Sequence, residues 1–200
     1  MNYSQLTPIQ LDAIKEVVNI GSGNAATALS QLLNKKIDMT VPDVNIVPFE
    51  TLFSELGEEK IVVGVVVRVL GDTPGNILFV FEKETAVEIV ERLTGTKDDE
   101  LTDLSSSVLC EIGNIISSSY MNAIARFTNL VITPSVPAFS YDMLGAILTT
   151  SFIEAGQYDD NVLDLETVFL QDKTKNISGH FYYIPMPGSL EKILNILGVN

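Results

Sequence analysis

Two pairs of polar residues stand at a spacing that would let them act together on the surface of a helix. Glu16 precedes Asn19 by three positions, and Glu111 precedes Asn114 by three. Residues three apart on an α-helix share one face, so each pair would present a carboxylate beside a carboxamide. Such a pair can bind a partner's ammonium group and orient a water molecule, although neither group is a strong base. The pairs therefore suit a reaction that depends on positioning, such as hydrolysis of an acyl phosphate.

The surroundings of the two pairs repeat along the chain. Asp12 and Ser107 stand four positions before the glutamates, Pro42 and Pro137 follow the asparagines, and each second member lies 95 positions beyond the first. A lone Glu-x-x-Asn on a helix is usually an ordinary solvated face. Here the apolar residues have drifted between the halves, whereas glutamate, asparagine and proline are retained. That contrast favours a function for the polar positions.

Two long helices are predicted to carry these residues. In the first half, Thr7 and Pro8 form an N-cap and first-turn pair, and Gln10 completes a capping box. Apolar residues then recur at helical spacing, as Leu11, Ile14, Val18, Ala25, Leu29 and Leu32. Gly21 and Gly23 would allow another backbone to approach this helix closely. The second helix is predicted over about 102–127.

Apolar runs between turn signals predict the strands. In the first half the predicted strands are 37–48, 61–70 and 76–81, with a hairpin turn at 72–75 and a helix over 84–93. In the second half the predicted strands are 130–136, 147–154, 162–170 and 178–184, with a closing helix over 189–197.

A larger offset marks the later part of the repeat. Segment 76–81 aligns with 179–184 at 103 positions, and Gly95 aligns with Gly198 at the same distance. The change from 95 to 103 predicts about eight extra residues in the second half. We place them near Ala138–Gly145, where they would form a short amphipathic helix.

These patterns together predict an α+β fold. The expected architecture is one internally duplicated, pseudo-twofold domain, in which a β-sheet carries two long active-site helices. We assign residues 1–200 to this single domain, made of repeat 1 (about 5–95) and repeat 2 (about 100–198). Half-domains of this size would be hard to stabilise alone.

Composition excludes several classes of function. The formal net charge of −14, without any cluster of Lys or Arg, argues against a nucleic-acid partner and an anionic membrane surface. No apolar run is long enough for membrane insertion, and no signal peptide is evident, so we expect a cytoplasmic protein. Cys110 and His180 are each the only residue of their type. They leave little for a catalytic triad or a metal site, and we interpret both as packing residues.

The pattern Asp/Ser-x3-Glu-x2-Asn-x22-Pro, complete twice, resembles the signature of the CheC, CheX and FliY phosphatase family. The surrounding Glu16-Val-Val-Asn-Ile-Gly-Ser-Gly-Asn-Ala-Ala-Thr-Ala and Glu111-Ile-Gly-Asn-Ile-Ile are typical of it. The likeness runs from about Thr7 to Gly198. Two motifs in a chain of this length resemble the CheC type, because CheX proteins carry one motif and FliY proteins carry a further flagellar switch domain.

By that resemblance the chain is a phosphatase that hydrolyses the aspartyl-phosphate of the chemotaxis response regulator CheY. Asn19 and Asn114 would orient the attacking water. Glu16 and Glu111 would pair with the lysine beside the regulator's phosphoaspartate. The regulator would carry its own Mg²⁺, so no cofactor of the chain itself and no metal site are expected.

The resemblance implies supporting roles for the other motif residues. Pro42 and Pro137 would shape the strand beside each site without touching the substrate. Asp12 and Ser107 occupy the variable first position of the motif.

The resemblance also implies a second partner, CheD, a receptor-modifying deamidase that raises the phosphatase activity of family members. We assign its docking face to Tyr141, Asp142 and Met143, within the predicted extra helix. A helix packed into the core is the alternative for that segment.

Two other functions remain open from the sequence. A non-catalytic adaptor would bind CheD or the response regulator and act by sequestration, but it would tolerate loss of at least one Glu/Asn pair. A structural subunit of the flagellar switch is disfavoured because the chain has no room for the additional domain.

Overall fold

The first long helix begins where its capping residues place it. The computed structural model describes residues 6–34, 36–40, 43–96, 100–156, 161–165, 167–171 and 175–199. Helix α1 spans Pro8–Leu33. The Thr7 side chain accepts a hydrogen bond from the backbone N–H of Gln10, and the Gln10 side chain accepts one from the N–H of Thr7. Asn34, with a left-handed φ of 49°, closes the other end.

The chain then continues through shorter elements and a second long helix. The other helices are α2 (Phe49–Leu52, followed by a π-helical turn over Phe53–Gly57), α3 (Lys83–Thr94), α4 (Asp103–Thr128), α5 (Leu144–Glu154) and α6 (Ser189–Leu197). The strands are β1 (Asp38–Thr40), β2 (Val44–Pro48), β3 (Ile61–Gly71), β4 (Gly75–Phe81), β5 (Ile132–Pro134), β6 (Ala138–Met143), β7 (Asn161–Leu165), β8 (Thr167–Gln171) and β9 (Lys175–Pro185).

Helix α4 repeats both ends of α1. Thr102 forms a capping box with Ser105, and Asn129 closes the helix with a left-handed φ of 57°. Thr102 and Asn129 lie 95 positions beyond Thr7 and Asn34. The duplication has therefore preserved the two signals that set the length of each long helix.

The strands form one antiparallel sheet. Its main path runs β1-β8-β9-β4-β3-β5; in addition, β6 pairs with β3, and β2 pairs with β7, which also pairs with β9. The two halves meet in the middle, where β4 pairs with β9 and Phe79 stands opposite Phe181. The rings of these two residues make an edge contact, with centroids 4.9 Å apart.

The sheet separates two hydrophobic cores. Because side chains alternate along a strand, Ile77, Phe79 and Phe81 of β4 pack with the layer of α1, α3, α4 and α6. Leu78 and Val80 pack on the other face, against α5 and the α2 region. The two long helices thus share one face of the sheet and keep their outer surfaces in solvent.

Strand pairing defines the symmetry between the halves. The offset of 95 holds from α1 as far as β2 and β6, which end at Pro48 and Met143. In the first half β2 pairs with β7, and in the second half its counterpart β6 pairs with β3; the registers of these two pairs make β7 the counterpart of β3, at an offset of 100. In the same way, β3 pairs with β4 and β7 pairs with β9, so β9 is the counterpart of β4 at an offset of 102. A pseudo-twofold axis perpendicular to the sheet therefore passes through the Phe79–Phe181 pair. It relates α1 to α4, so the long helices lie antiparallel.

The sequence alignment of 76–81 with 179–184 is wrong by one residue. At an offset of 103, Phe79 would match Tyr182, but these side chains pack in opposite cores. At 102 it matches Phe181, which faces the same core. A slip of one residue reverses every side chain of a strand. Residues 77–81 of β4 and 181–184 of β9 are apolar and buried on both faces of the sheet, so hydrophobicity did not mark the register.

The predicted insertion and helix at Ala138–Gly145 are also wrong. Residues 138–143 form strand β6, paired with β3, and α5 begins at Leu144, 95 positions beyond the start of α2 at Phe49. The ladders place five extra residues later, between the start of α5 and β7. Apolar side chains at 139, 141 and 143 alternate with polar ones, which is the pattern of a strand.

The predicted strand over 147–154 is a helix instead. Its β-branched residues favour a strand by propensity. In α5, however, Leu144, Ile147, Leu148 and Phe152 are buried at spacings of three and four, which is one helical face against the sheet. Burial of that face overrides local propensity.

Most other predicted elements agree with the structure. Those over 61–70, 76–81, 84–93 and 189–197 match β3, β4, α3 and α6 to within a residue at each end. The predicted strands over 37–48 and 162–170 are each divided in two, as β1 with β2 and β7 with β8. The strand predicted over 130–136 is shorter, as β5.

Candidate functional site

The first Glu/Asn pair lies on the exposed face of α1. Glu16 and Asn19 are both exposed, and Asp12, one turn earlier, is exposed beside them. Val17 and Val18 are buried in between and fix the orientation of the helix. Within the described part of the chain, no hydrogen bond or ion pair engages the Glu16 carboxylate or the Asn19 carboxamide. Both groups are therefore available to a partner.

The second pair repeats this arrangement on α4. Glu111 is exposed and Asn114 is half-buried. No described residue forms a hydrogen bond or ion pair with either side chain. Ser107, one turn before Glu111, is exposed, and its hydroxyl donates to the carbonyl of Asp103 at 2.9 Å. The Ser107 hydroxyl is therefore engaged by a hydrogen bond within its own helix.

Gly113 lets α4 approach the sheet between Glu111 and Asn114. A Cβ at this position would lie 2.8 Å from Cγ1 of Val65, in the buried part of β3. The repeated motif did not identify this positioning residue. A glycine inside a helix lowers stability by about 1 kcal/mol relative to alanine. Its presence next to Glu111 and Asn114 in the sequence could therefore have indicated that the helix packs closely against another element there.

The two pairs lie on opposite sides of the point where α1 and α4 cross. A Cβ at Gly21 would lie 2.3 Å from Cδ1 of Tyr120, so the glycine creates the space that the tyrosine ring fills. This agrees with the close approach predicted at Gly21. The same prediction for Gly23 is wrong, because no atom of another element lies within 4 Å of its Cβ position. Glu16 and Glu111 each stand about two turns before the crossing. The antiparallel helices therefore separate the two glutamates by about 20 Å along the helix direction.

The immediate neighbours of the two pairs differ in charge. Lys15 lies next to Glu16, and its ammonium is 3.4 Å from the carboxylate of Asp43. The corresponding residues of the second half are Cys110 and Ala138. Burial raises the pKa of the Cys110 thiol, which favours its neutral form. The first site is thus surrounded by more charge than the second.

The two motif prolines stand differently in the structure. Pro42 lies outside the described residues. Pro137 is half-buried in the connection between β5 and β6. Ser135 ties this connection to β3, because its backbone N–H donates to the carbonyl of Arg68 and its hydroxyl accepts from the Arg68 N–H, both at 2.9 Å.

Tyr141, Asp142 and Met143 are exposed on strand β6. Asp142 lines a cleft between β6 and α5, on the sheet face opposite the long helices. Its carboxylate accepts a hydrogen bond from the backbone N–H of Met143 at 2.8 Å. These residues are therefore accessible, and Asp142 lies on the far side of the sheet from the Glu/Asn pairs.

His180 lies within β9, where its ring stacks on that of Tyr182 with centroids 5.8 Å apart. Its Nδ1 atom is 3.5 Å from the carboxylate of Asp164. These contacts agree with a packing role. Among the described residues, no group of three or more His, Cys, Asp or Glu side chains is arranged to hold a metal ion. Of the helices described, none is long and apolar enough to cross a membrane.

Comparisons with known proteins match the two segments that carry the Glu/Asn pairs. The model of the CheC-like family matches residues 9–46 and 104–141, two segments that again lie 95 positions apart. The CheY-P phosphatase CheC of Bacillus subtilis is 35% identical over 198 residues, which cover 96% of this chain and 95% of that protein.

Solved structures share the fold. Thermotoga maritima FliY superposes with a TM-score of 0.75 at 22% identity, over 97% of this chain and 98% of that one. A chain of the CheX-CheY-BeF3-Mg²⁺ complex from Borrelia burgdorferi superposes with a TM-score of 0.54 at 19% identity, over 84% of this chain and 96% of that one. The sequence relationship over nearly the full length, together with the twice-matched family model, shows that the chain belongs to the CheC-like family.

Proposed function

We propose that this protein is a hydrolase that dephosphorylates a CheY-type response regulator. The observation that carries the proposal is a Glu/Asn pair at the same position of each of two long helices, solvent-accessible in both and with no hydrogen-bond or ion-pair partner among the described residues. The Bacillus subtilis relative, 35% identical, is named a CheY-P phosphatase, which supports the choice of substrate.

The expected reaction transfers the phosphoryl group of an aspartyl-phosphate to water. The carboxamide of Asn19 or Asn114 would hydrogen-bond a water molecule and align its oxygen with the phosphorus. The new phosphorus–oxygen bond forms as the bond to the aspartyl oxygen breaks. The aspartate leaves as a carboxylate, and the proton lost by the water passes to solvent or to the released phosphate. Positioning and charge stabilisation provide the catalysis in such a reaction.

Glu16 or Glu111 would hold the two proteins in register by pairing with a lysine ammonium beside the phosphoaspartate. Mg²⁺ would be carried by the regulator and would neutralise the phosphoryl oxygens. Asp12 and Ser107 stand one turn from the glutamates, and we assign them no contact with the reacting atoms. Pro137 would shape the β5–β6 connection, as Pro42 would its counterpart.

The decay of ³²P-labelled CheY-type regulator tests this function. We expect wild type to accelerate decay, Asn19→Ala and Asn114→Ala each to lose part of the acceleration, and the double variant to lose nearly all of it. Asn24→Ala is a matched control, because Asn24 is exposed on α1 but lies about 80° from Glu16 and about 140° from Asn19 around the helix. If wild type binds the regulator without accelerating decay, the adaptor function replaces the phosphatase.

A CheD-type deamidase remains a proposed second partner, with Tyr141, Asp142 and Met143 as its docking face. Their exposure on β6 supports the assignment. Replacing Asp142 by lysine or Met143 by alanine should weaken capture of purified CheD. Undiminished capture by both variants would contradict this docking face. A cytoplasmic location, where both partners would be met, remains a prediction.

A further inference from the structure

Two large aliphatic side chains are exposed near the starts of the long helices. Ile9 on α1 is 67% exposed and Leu104 on α4 is 50% exposed. They are counterparts in the duplication, 95 positions apart. A single exposed aliphatic residue needs no explanation. An exposed aliphatic residue at the same position of both repeats, where it adds little to the core, is evidence of a role outside the folded chain.

Both residues lie on the active faces. Ile9 precedes Glu16 by seven residues, as Leu104 precedes Glu111. Seven residues of α-helix turn by almost two full turns, so each aliphatic side chain lies within about 20° of its glutamate around the helix and about 10 Å along it. Each helix therefore presents one stripe that runs from an apolar residue to the Glu/Asn pair.

A second pair of exposed apolar residues provides an internal comparison. Leu32 is 56% exposed and Phe127 is 48% exposed, and they are also 95 positions apart. They follow Glu16 and Glu111 by sixteen residues, which places them about 160° away around the helix. They are similar to Ile9 and Leu104 in exposure and apolar character, but they point away from the active stripes.

We propose that Ile9 and Leu104 are substrate-binding residues, each of which buries its side chain against an apolar patch of the phosphorylated receiver domain beside the phosphoaspartate. The inference rests on the proposed phosphatase function. The stripes themselves are acidic, through Asp12, Glu16 and Glu111, and the chain has a formal net charge of −14. An acidic surface gains little affinity for an anionic phosphoryl group. Charges mainly set orientation, whereas burial of apolar anchors supplies much of the binding energy.

The test uses proteins with one intact pair, because either site could mask a defect in the other. In the Asn114→Ala background, Ile9→Ala is compared with Leu32→Ala; in the Asn19→Ala background, Leu104→Ala is compared with Phe127→Ala. The inference expects Ile9→Ala and Leu104→Ala to raise KM for the phosphorylated regulator about tenfold, with kcat within about twofold of the parent. The Leu32 and Phe127 variants should leave both constants unchanged.

Binding of the full-length variants to a beryllofluoride-activated regulator gives a second readout that needs no turnover. Kd should rise about tenfold for the Ile9→Ala, Leu104→Ala double variant and stay constant for the Leu32→Ala, Phe127→Ala double variant. If the single-pair parents are active but both double variants bind as the wild type does, the inference is overturned and the phosphatase function stands. If the parents show neither activity nor binding, the proposed function fails as well.

Discussion

The hydroxyl oxygen of Tyr120 lies 2.9 Å from that of Ser22, a hydrogen bond that joins the two long helices where they cross. The Tyr120 ring also packs on Phe181, with centroids 4.8 Å apart. The duplication does not repeat this contact, because Ala25 is the counterpart of Tyr120. Ser117, the counterpart of Ser22, has a buried hydroxyl with no hydrogen-bond partner among the described residues. The hydrogen bond between the two helices that carry equivalent sites is thus asymmetric.

Gly21→Ala should destabilise the fold. Its Cβ would lie 2.3 Å from the Tyr120 ring and 3.0 Å from the Tyr120 Cα, so the helices would have to separate. Overpacking of this kind costs about 1–3 kcal/mol, which exceeds the gain of helix propensity. Gly23→Ala is the matched control, since no atom lies within 4 Å of its Cβ position. Urea unfolding should show that variant to be as stable as wild type or slightly more stable; a destabilised Gly23→Ala would contradict the argument.

Gly113→Ala should impair the second site and leave the first working. The added methyl group would lie 2.8 Å from Cγ1 of the buried Val65 and push α4 away from the sheet beside Glu111 and Asn114. We expect lower kcat in the Asn19→Ala background, where only the second pair acts. In the Asn114→Ala background, the same substitution should change kcat much less. Equal losses in both backgrounds would mean a general loss of folding instead, which circular dichroism would detect.

Leu148→Ala should lower the free energy of unfolding by about 2–5 kcal/mol, because it leaves a cavity between α5 and the sheet. Leu148 is fully buried in the second core. Ile153→Ala, on the exposed side of the same helix, should change stability by less than about 0.5 kcal/mol. Urea unfolding of the two variants compares them directly. Similar effects at both positions would contradict the placement of Leu148 against the sheet and of Ile153 in solvent.

Asp72 should make stability depend on pH in the acid range. The backbone N–H of Val131 donates to its carboxylate at 2.8 Å, and the Lys192 ammonium lies 3.2 Å away. These contacts, the backbone hydrogen bond first, lower the pKa of Asp72 below its ordinary value of 3.8. A lowered pKa in the folded state adds stability above the unfolded-state pKa, and this contribution is lost as pH falls through the folded-state value.

Asp72→Asn removes that charge. Wild type should therefore be more stable than the variant at pH 7, and the difference should shrink as the pH falls below about 4. Urea unfolding at a series of pH values measures the difference. A difference that stays constant from pH 7 to the acid range would show that the carboxylate's charge is not involved.

Local physical chemistry explains what the sequence by itself determined. The ends of both long helices follow from Thr7 and Thr102 as N-caps and from Asn34 and Asn129 as left-handed C-caps. Capping requires only neighbouring residues, so it can be recognised without the fold. The shared face of each Glu/Asn pair follows from helical periodicity in the same way. The family resemblance rested on these same local patterns.

Only the tertiary structure decided the features that depend on distant residues. The register of β9 against β4 was set by which core each side chain enters, since residues 77–81 and 181–184 are apolar on both faces of the sheet. Residues 147–154 became a helix because one face could be buried against the sheet, against their strand propensity. The closeness of Gly113 to Val65, and the position of Tyr120 beside Gly21, arise from helix and sheet packing across long sequence separations. Such contacts depend on shape complementarity between elements, which no local pattern encodes.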